Sequence, residues 1–217
     1  MFVNHIFARQ ETLPPAPAGL YEYVIGSNGI FVRASRPGLE ALIWVAATNN
    51  EIRGLAQVQP FVRVYKPVPA WLVGRMFEMA FRAGDKEILF YLSPNPWRLA
   101  LPEQVQSKGS VFPVDPYASG SDTMIEIHSH HNMQPYFSKT DDHDEQAGFR
   151  IFAVLGNLGH NPSIAVRAGV YGHFWGIPAR WIFDLPAGVH DVNSAARAMD
   201  SNNVEIEEPE VLDVFDD

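Results

Sequence analysis

Between Ile125 and Glu145 the chain reads I-E-I-H-S-H-H-N-M-Q-P-Y-F-S-K-T-D-D-H-D-E. Few folds accommodate this run. Its first part alternates in the manner of a half-buried strand. Its last part, Ser138-x-x-Asp141 followed by further acids, has the form of a capped helix start. Four of the chain's eight histidines and five acidic residues fall here, so whatever strand and helix form must bring titratable groups together.

Along a strand, alternate side chains share a face, so His128 and His130 project together with Cα atoms roughly 6.5–7 Å apart. That spacing suits two imidazoles converging on one ion at about 2.0–2.1 Å each. Asp141, one loop later, is placed to be a third ligand. Two His and one carboxylate leave a fourth tetrahedral position for water, the pattern of a catalytic zinc site, where the water's pKa falls to about 7. The chain has no cysteine, so disulfides, a thiol nucleophile and Cys-ligated zinc are all excluded. Ser138 has two readings, a helix cap or a hydroxyl aimed at a developing oxyanion, and both can hold at once. The acids after it, Asp142, Asp144 and Glu145, read as a solvated first turn. His131, which falls on the opposite strand face if the strand continues, and His143 are extra candidates in the cluster, while His160 and His173 are not expected to be ligands.

Around this stretch the chain is ordinary globular sequence, 47% hydrophobic and 19% charged. Net charge is −9, and seven of the acids lie in the tail from Ser201 to Asp217, so the body is near neutral. No nucleic-acid partner is expected. The start lacks the form of a signal peptide, and no window approaches a membrane span, so a cytoplasmic location is expected.

Residues 1–65 read as an N-terminal β-rich region with a proline-rich start, P-P-A-P-A-G. S-N-G at residues 27–29 marks a hairpin. Pro69 to Ala83 reads as a helix, with Leu72, Met76 and Ala80 on one face and Gly84 at its end. K-E-I-L-F-Y-L follows as a strand. The segment 94–123 is expected to hold one or two strands and an exposed loop. R-I-F-A-V-L-G and S-I-A-V-R-A-G-V-Y-G-H-F-W read as two strands, with A-R-W-I-F-D as a third. From Val192 to Met199 a weak helix is expected, then an acidic, disordered tail within a C-terminal extension, 187–217.

The ordered set H-S-H-x7-S-x2-D resembles the signature of the JAMM (MPN+) metalloproteases. The resemblance covers about residues 66–184, within a catalytic domain expected over 66–186. It implies an α+β, cytidine-deaminase-like fold of MPN type, a central β-sheet flanked by helices. It also implies one zinc ion held by His128, His130 and Asp141, an oxyanion-stabilising Ser138, and a general base upstream, for which Glu87 is in the right place. Glu126 is the rival base because it shares a strand face with the histidines. A base two residues from a ligand, however, would lie along the sheet and not across the water. By resemblance, the substrate is a ubiquitin-like protein or its conjugates, cleaved after the C-terminus of the ubiquitin-like partner. The flanking I-E-I-H-S-H-H and R-A-G-V-Y-G-H-F-W are similar to the bacterial subgroup of conjugation operons, which includes PRTRC system protein A and Bil-type antiphage deubiquitinases. That subgroup implies E1-like and E2-like partners. A catalytically silent MPN-type scaffold and another metal-dependent hydrolase, such as a phosphoesterase, stay open as alternatives.

Overall fold

The structure, a computed structural model, describes residues 3–16 and 19–193. The acidic tail and all but the first two residues of the weak helix expected over Val192–Met199 therefore lie outside the described residues.

Two sheets share one buried core. The first is made by β1 (Asn4–Phe7), β2 (Glu22–Gly26), β3 (Gly29–Arg36), β4 (Leu39–Ala47) and β5 (Phe61–Val64), in that order. The S-N-G hairpin is present, with Gly26 paired to Gly29 across Ser27 and Asn28. α1 (Ala70–Arg82) follows, and Pro69 serves as its N-cap. Its stripe Leu72, Val73, Met76, Phe77 and Ala80 is buried in the core that both sheets line.

That second sheet runs in the order β13-β12-β11-β10-β6-β7. Its strands are β6 (Leu89–Ser93), β7 (Arg98–Ala100), β10 (Ile125–Ser129), β11 (Phe149–Gly156), β12 (Ser163–Val170) and β13 (His173–Gly176). A small hairpin of β8 (Gln104–Gln106) and β9 (Val111–Pro113) stands beside it, and β14 (His190–Asp191) pairs with β12. Segment 94–123 thus contains three short strands where one or two were expected.

Alternation assigns the two faces of this sheet. Ile125, Ile127, Ile151, Ala153, Val166 and Ala168 enter the main core with α1. From the first sheet Val32, Ala34, Leu39, Ala41, Ile43 and Val62 enter the same core. Glu126, His128, Phe152 and Arg167, at intervening positions, are left for the opposite face. Arg36 ties the two sheets together by donating to the carbonyls of Ser121, Thr123 and Phe149.

Two elements differ from the sequence reading. The run S-I-A-V-R-A-G-V-Y-G-H-F-W is a hairpin and not a single strand. Tyr171 (φ 46°) and Gly172 (φ 85°) form its two-residue turn, with both central φ values positive as a tight hairpin turn of this twist requires. A-R-W-I-F-D is a turn of 3₁₀ helix (Ala179–Trp181), capped when the Ala179 N–H donates to Asp191 Oδ2. Only Phe183 beyond it forms a strand-like bridge, to Val68.

Candidate metal centre

β10 is five residues long, and the extended path continues one residue past it, where the His130 N–H donates to the Leu155 carbonyl at 2.7 Å. Both histidines therefore face the same way. Their Nε2 atoms are 3.2 Å apart, and Asp141 Oδ1 is 3.8 Å from His128 Nε2. One ligating atom from each of the three residues falls within 4.8 Å of the others. Two nitrogens at 2.0–2.1 Å from a tetrahedral ion would be roughly 3.3 Å apart, so the donor set fits zinc.

Protonation favours the same reading. Burial lowers the His130 pKa, and burial drives that of His128 down to about 4 against the pull of Asp141. Both imidazoles are thus neutral at pH 7, with lone pairs available to an ion. His130 Nδ1 donates to the Gln134 carbonyl at 3.4 Å, leaving its Nε2 as the free acceptor.

Asp141 is held by the first turn of α2 (Lys139–Asp144). The capping box is reciprocal: the Asp141 N–H donates to Ser138 Oγ at 3.2 Å, and the Ser138 N–H donates to Asp141 Oδ2 at 2.6 Å. One carboxylate oxygen thus orients the helix start while the other faces the histidines. In the cap the Ser138 hydroxyl is an acceptor, which leaves its own proton free to donate.

Glu87 precedes β6 and is 5% exposed, an unusual place for a carboxylate. Burial, reinforced by the charge of Asp141, pushes its pKa up to about 7. Three contacts fix its segment. The Glu87 N–H donates to the Ser107 carbonyl, its own carbonyl accepts from Gln106 Nε2, and next door the Ile88 N–H donates to Ser129 Oγ. Ser129, the middle residue of H-S-H, is fully buried and locks the Glu87 segment to the histidine strand. The rival carboxylate is engaged elsewhere, since Glu126 forms an ion pair with Arg150, whose guanidinium also donates to the Ser119 carbonyl.

Other supports had no local signal in the sequence. Glu145 and Asp142 are not simply solvated but pair with buried Arg167. Gly156 lies under residues 131–137, the metal loop that joins the paired histidines to α2, where a Cβ would come within 2.5 Å of the Met133 carbonyl oxygen and the Pro135 nitrogen. Gly156→Ala is therefore expected to displace residues 133–135, which carry the Gln134 carbonyl, and to destabilise the protein by about 1–3 kcal/mol. Thermal unfolding of the metal-free variant checks this. The histidines outside the trio are spread out: His173 bonds Tyr23 in the first sheet at 2.9 Å, while His131 leaves the strand with φ 46°.

Residues 68–169 match the family described as prokaryotic homologs of the JAB domain. That match supports the JAB/MPN family for this part of the chain, and the mixed architecture, rich in strand with few helices, is consistent with its α+β fold. It spans α1 through nearly all of β12, and so includes Glu87, the trio and Ser138. No curated protein matches the chain. JAB domains often bind zinc, and His128, His130 and Asp141 form the group that could hold it here. Among the described residues no helix is long and apolar enough to cross a membrane.

Proposed function

We propose that this JAB-type domain is a zinc-dependent isopeptidase or peptidase. It would cleave after the C-terminus of a ubiquitin-like protein, in a cytoplasmic bacterial conjugation system that includes E1-like and E2-like enzymes. One observation carries the reading: a buried glutamate whose pKa is raised to about 7 lies close enough to Asp141 to feel its charge, and Asp141 faces two neutral histidines. Such a glutamate can take a proton at neutral pH and return it to a leaving amine.

When bound, zinc supplies a Lewis acid and a more acidic water. The residues of this chain do the rest. Glu87 accepts the proton of the attacking water and then delivers it to the departing nitrogen. The Ser138 hydroxyl donates to the oxygen that becomes negative as the carbonyl carbon turns tetrahedral. A polypeptide substrate is favoured by apolar side chains exposed on either side of the centre. Val105 and Phe112 form a cross-strand pair on the β8–β9 hairpin that bonds the Glu87 segment, and Met133 and Tyr136 lie on the metal loop.

The test is incubation with a ubiquitin-like fusion and an isopeptide conjugate, with a chelator, and with zinc restored. Cleavage at the C-terminus of the ubiquitin-like partner, abolished by the chelator and recovered with zinc, is expected. Turnover of a phosphodiester instead would overturn the peptidase reading. Bound zinc without turnover of any substrate would point to the scaffold.

A further inference from the structure

α2 raises a physical question. It has six residues, none of them buried, and helices so short do not hold together alone. Yet it must keep Asp141 Oδ1 aligned with two histidine nitrogens. No apolar face secures it, so something polar must.

Arg167 is the group in contact. It lies on β12, opposite Phe152 in the register, and is 5% exposed. Its Nε and one terminal nitrogen donate to Glu145 Oε2 at 3.0 and 2.6 Å, and the other terminal nitrogen donates to Asp142 Oδ1 at 2.5 Å. The guanidinium is stacked between two rings, 4.0 Å from the centroid of Phe137 and 3.9 Å from that of Phe174. Its contacts thus bracket Asp141: Phe137 just before the cap, Asp142 in the first turn, and Glu145 at the C-terminal end.

Resting on the metal reading above, we propose that Arg167 is a positioning residue for the metal centre. It fixes the short helix on the sheet so that Asp141 faces His128 and His130. The planar fork suits this task and an ammonium does not, because three donors must reach two carboxylates while the flat face stays between aromatic rings. Without the fork, Glu145 is left as a nearly buried, unpaired carboxylate, and the helix must lift towards water to solvate it.

The experiment measures metal binding by the full-length protein and does not depend on hydrolysis. Zinc affinity is obtained by competition with a chromogenic chelator, and Co2+ absorption in the d–d region reports the ligand set. Arg167→Lys is expected to weaken zinc binding about 10–100-fold, as loss of groups that orient ligands does, and to change the Co2+ spectrum. Glu145→Gln, made from the other end of the contact, is expected to shift both in the same direction. Arg36→Lys is the comparison: it disturbs a half-buried arginine that bonds the Ser121, Thr123 and Phe149 carbonyls and touches none of these residues, and should lower the melting temperature while leaving zinc affinity unchanged. Parent-like affinity and spectrum in folded Arg167→Lys would overturn the positioning role. If that variant does not fold, parent-like binding by Glu145→Gln overturns it instead. A parent protein that binds neither ion would remove the metal reading itself, and the proposal with it.

Discussion

Glu87→Gln is expected to slow amide hydrolysis by about 10²–10⁴-fold, the usual worth of a general base, while zinc remains bound. The substitution keeps the shape of the side chain and removes only its ability to take a proton. Its main-chain bonds to Ser107 and Gln106 do not involve the carboxyl, so the segment should stay in place. Stability supplies an independent signature. The Glu87 pKa is about 7 in the folded chain against 4.5 for the free group, so ionising it in the folded chain costs stability, at most about 3 kcal/mol and less where water screens the charge. That cost is complete above pH 7 and absent below 4.5. Metal-free Glu87→Gln should therefore be more stable than the parent at pH 8, with a gain that shrinks as pH falls and vanishes near 4.5. His128 contributes the opposite slope between about 6.5 and 4, where its folded form resists protonation, but it does so in both proteins and drops out of the difference. Urea unfolding at pH 8 and pH 5, with steady-state rates on a ubiquitin-like fusion, checks both halves. Full activity in the variant would remove Glu87 from the chemistry; Glu126 is not expected to take over as base, because its carboxylate is committed to Arg150.

The parts of this centre that could be read from the sequence are those governed by local rules. H-S-H places two side chains on one face because strands alternate, and Ser138-x-x-Asp141 starts a helix because a cap needs an acceptor at that offset. The helix Ala70–Arg82 follows from its apolar spacing and from proline before it. What stayed hidden depends on which strands are neighbours. Arg167 is 22 residues beyond Glu145, in a run that reads as an ordinary buried strand, and only the β11–β12 pairing brings it under α2. Ser129 and Gln106 look unremarkable in sequence, yet both meet the Glu87–Ile88 backbone across strand edges. The Tyr171-Gly172 turn was legible in principle, since glycine tolerates positive φ, but the apolar residues on either side mask it as continuous strand.

Asp141→Asn is expected to abolish stoichiometric zinc binding, with affinity reduced at least about 100-fold, because the carboxylate has two jobs and an amide can do one. Oδ2 accepts from the Ser138 N–H at 2.6 Å, so an asparagine that keeps the cap must put its oxygen there. Its NH2 group then faces His128 and His130, where a donor cannot bind a cation and the negative charge is gone. Turning the amide over restores an acceptor towards the histidines but sets two donors against each other at the cap. Ser138→Ala separates the two functions. It removes the acceptor for the Asp141 N–H, at a cost of about 1 kcal/mol, and should leave zinc in place. It also removes the donor proposed for the oxyanion, so the rate should fall by about 10²–10³-fold. Zinc content after gel filtration distinguishes the pair: the asparagine variant empties while the alanine variant stays loaded. An Asp141→Asn protein that retains one zinc per chain would show that the ion is held without Asp141, and the buried glutamate beside it would then need a different partner.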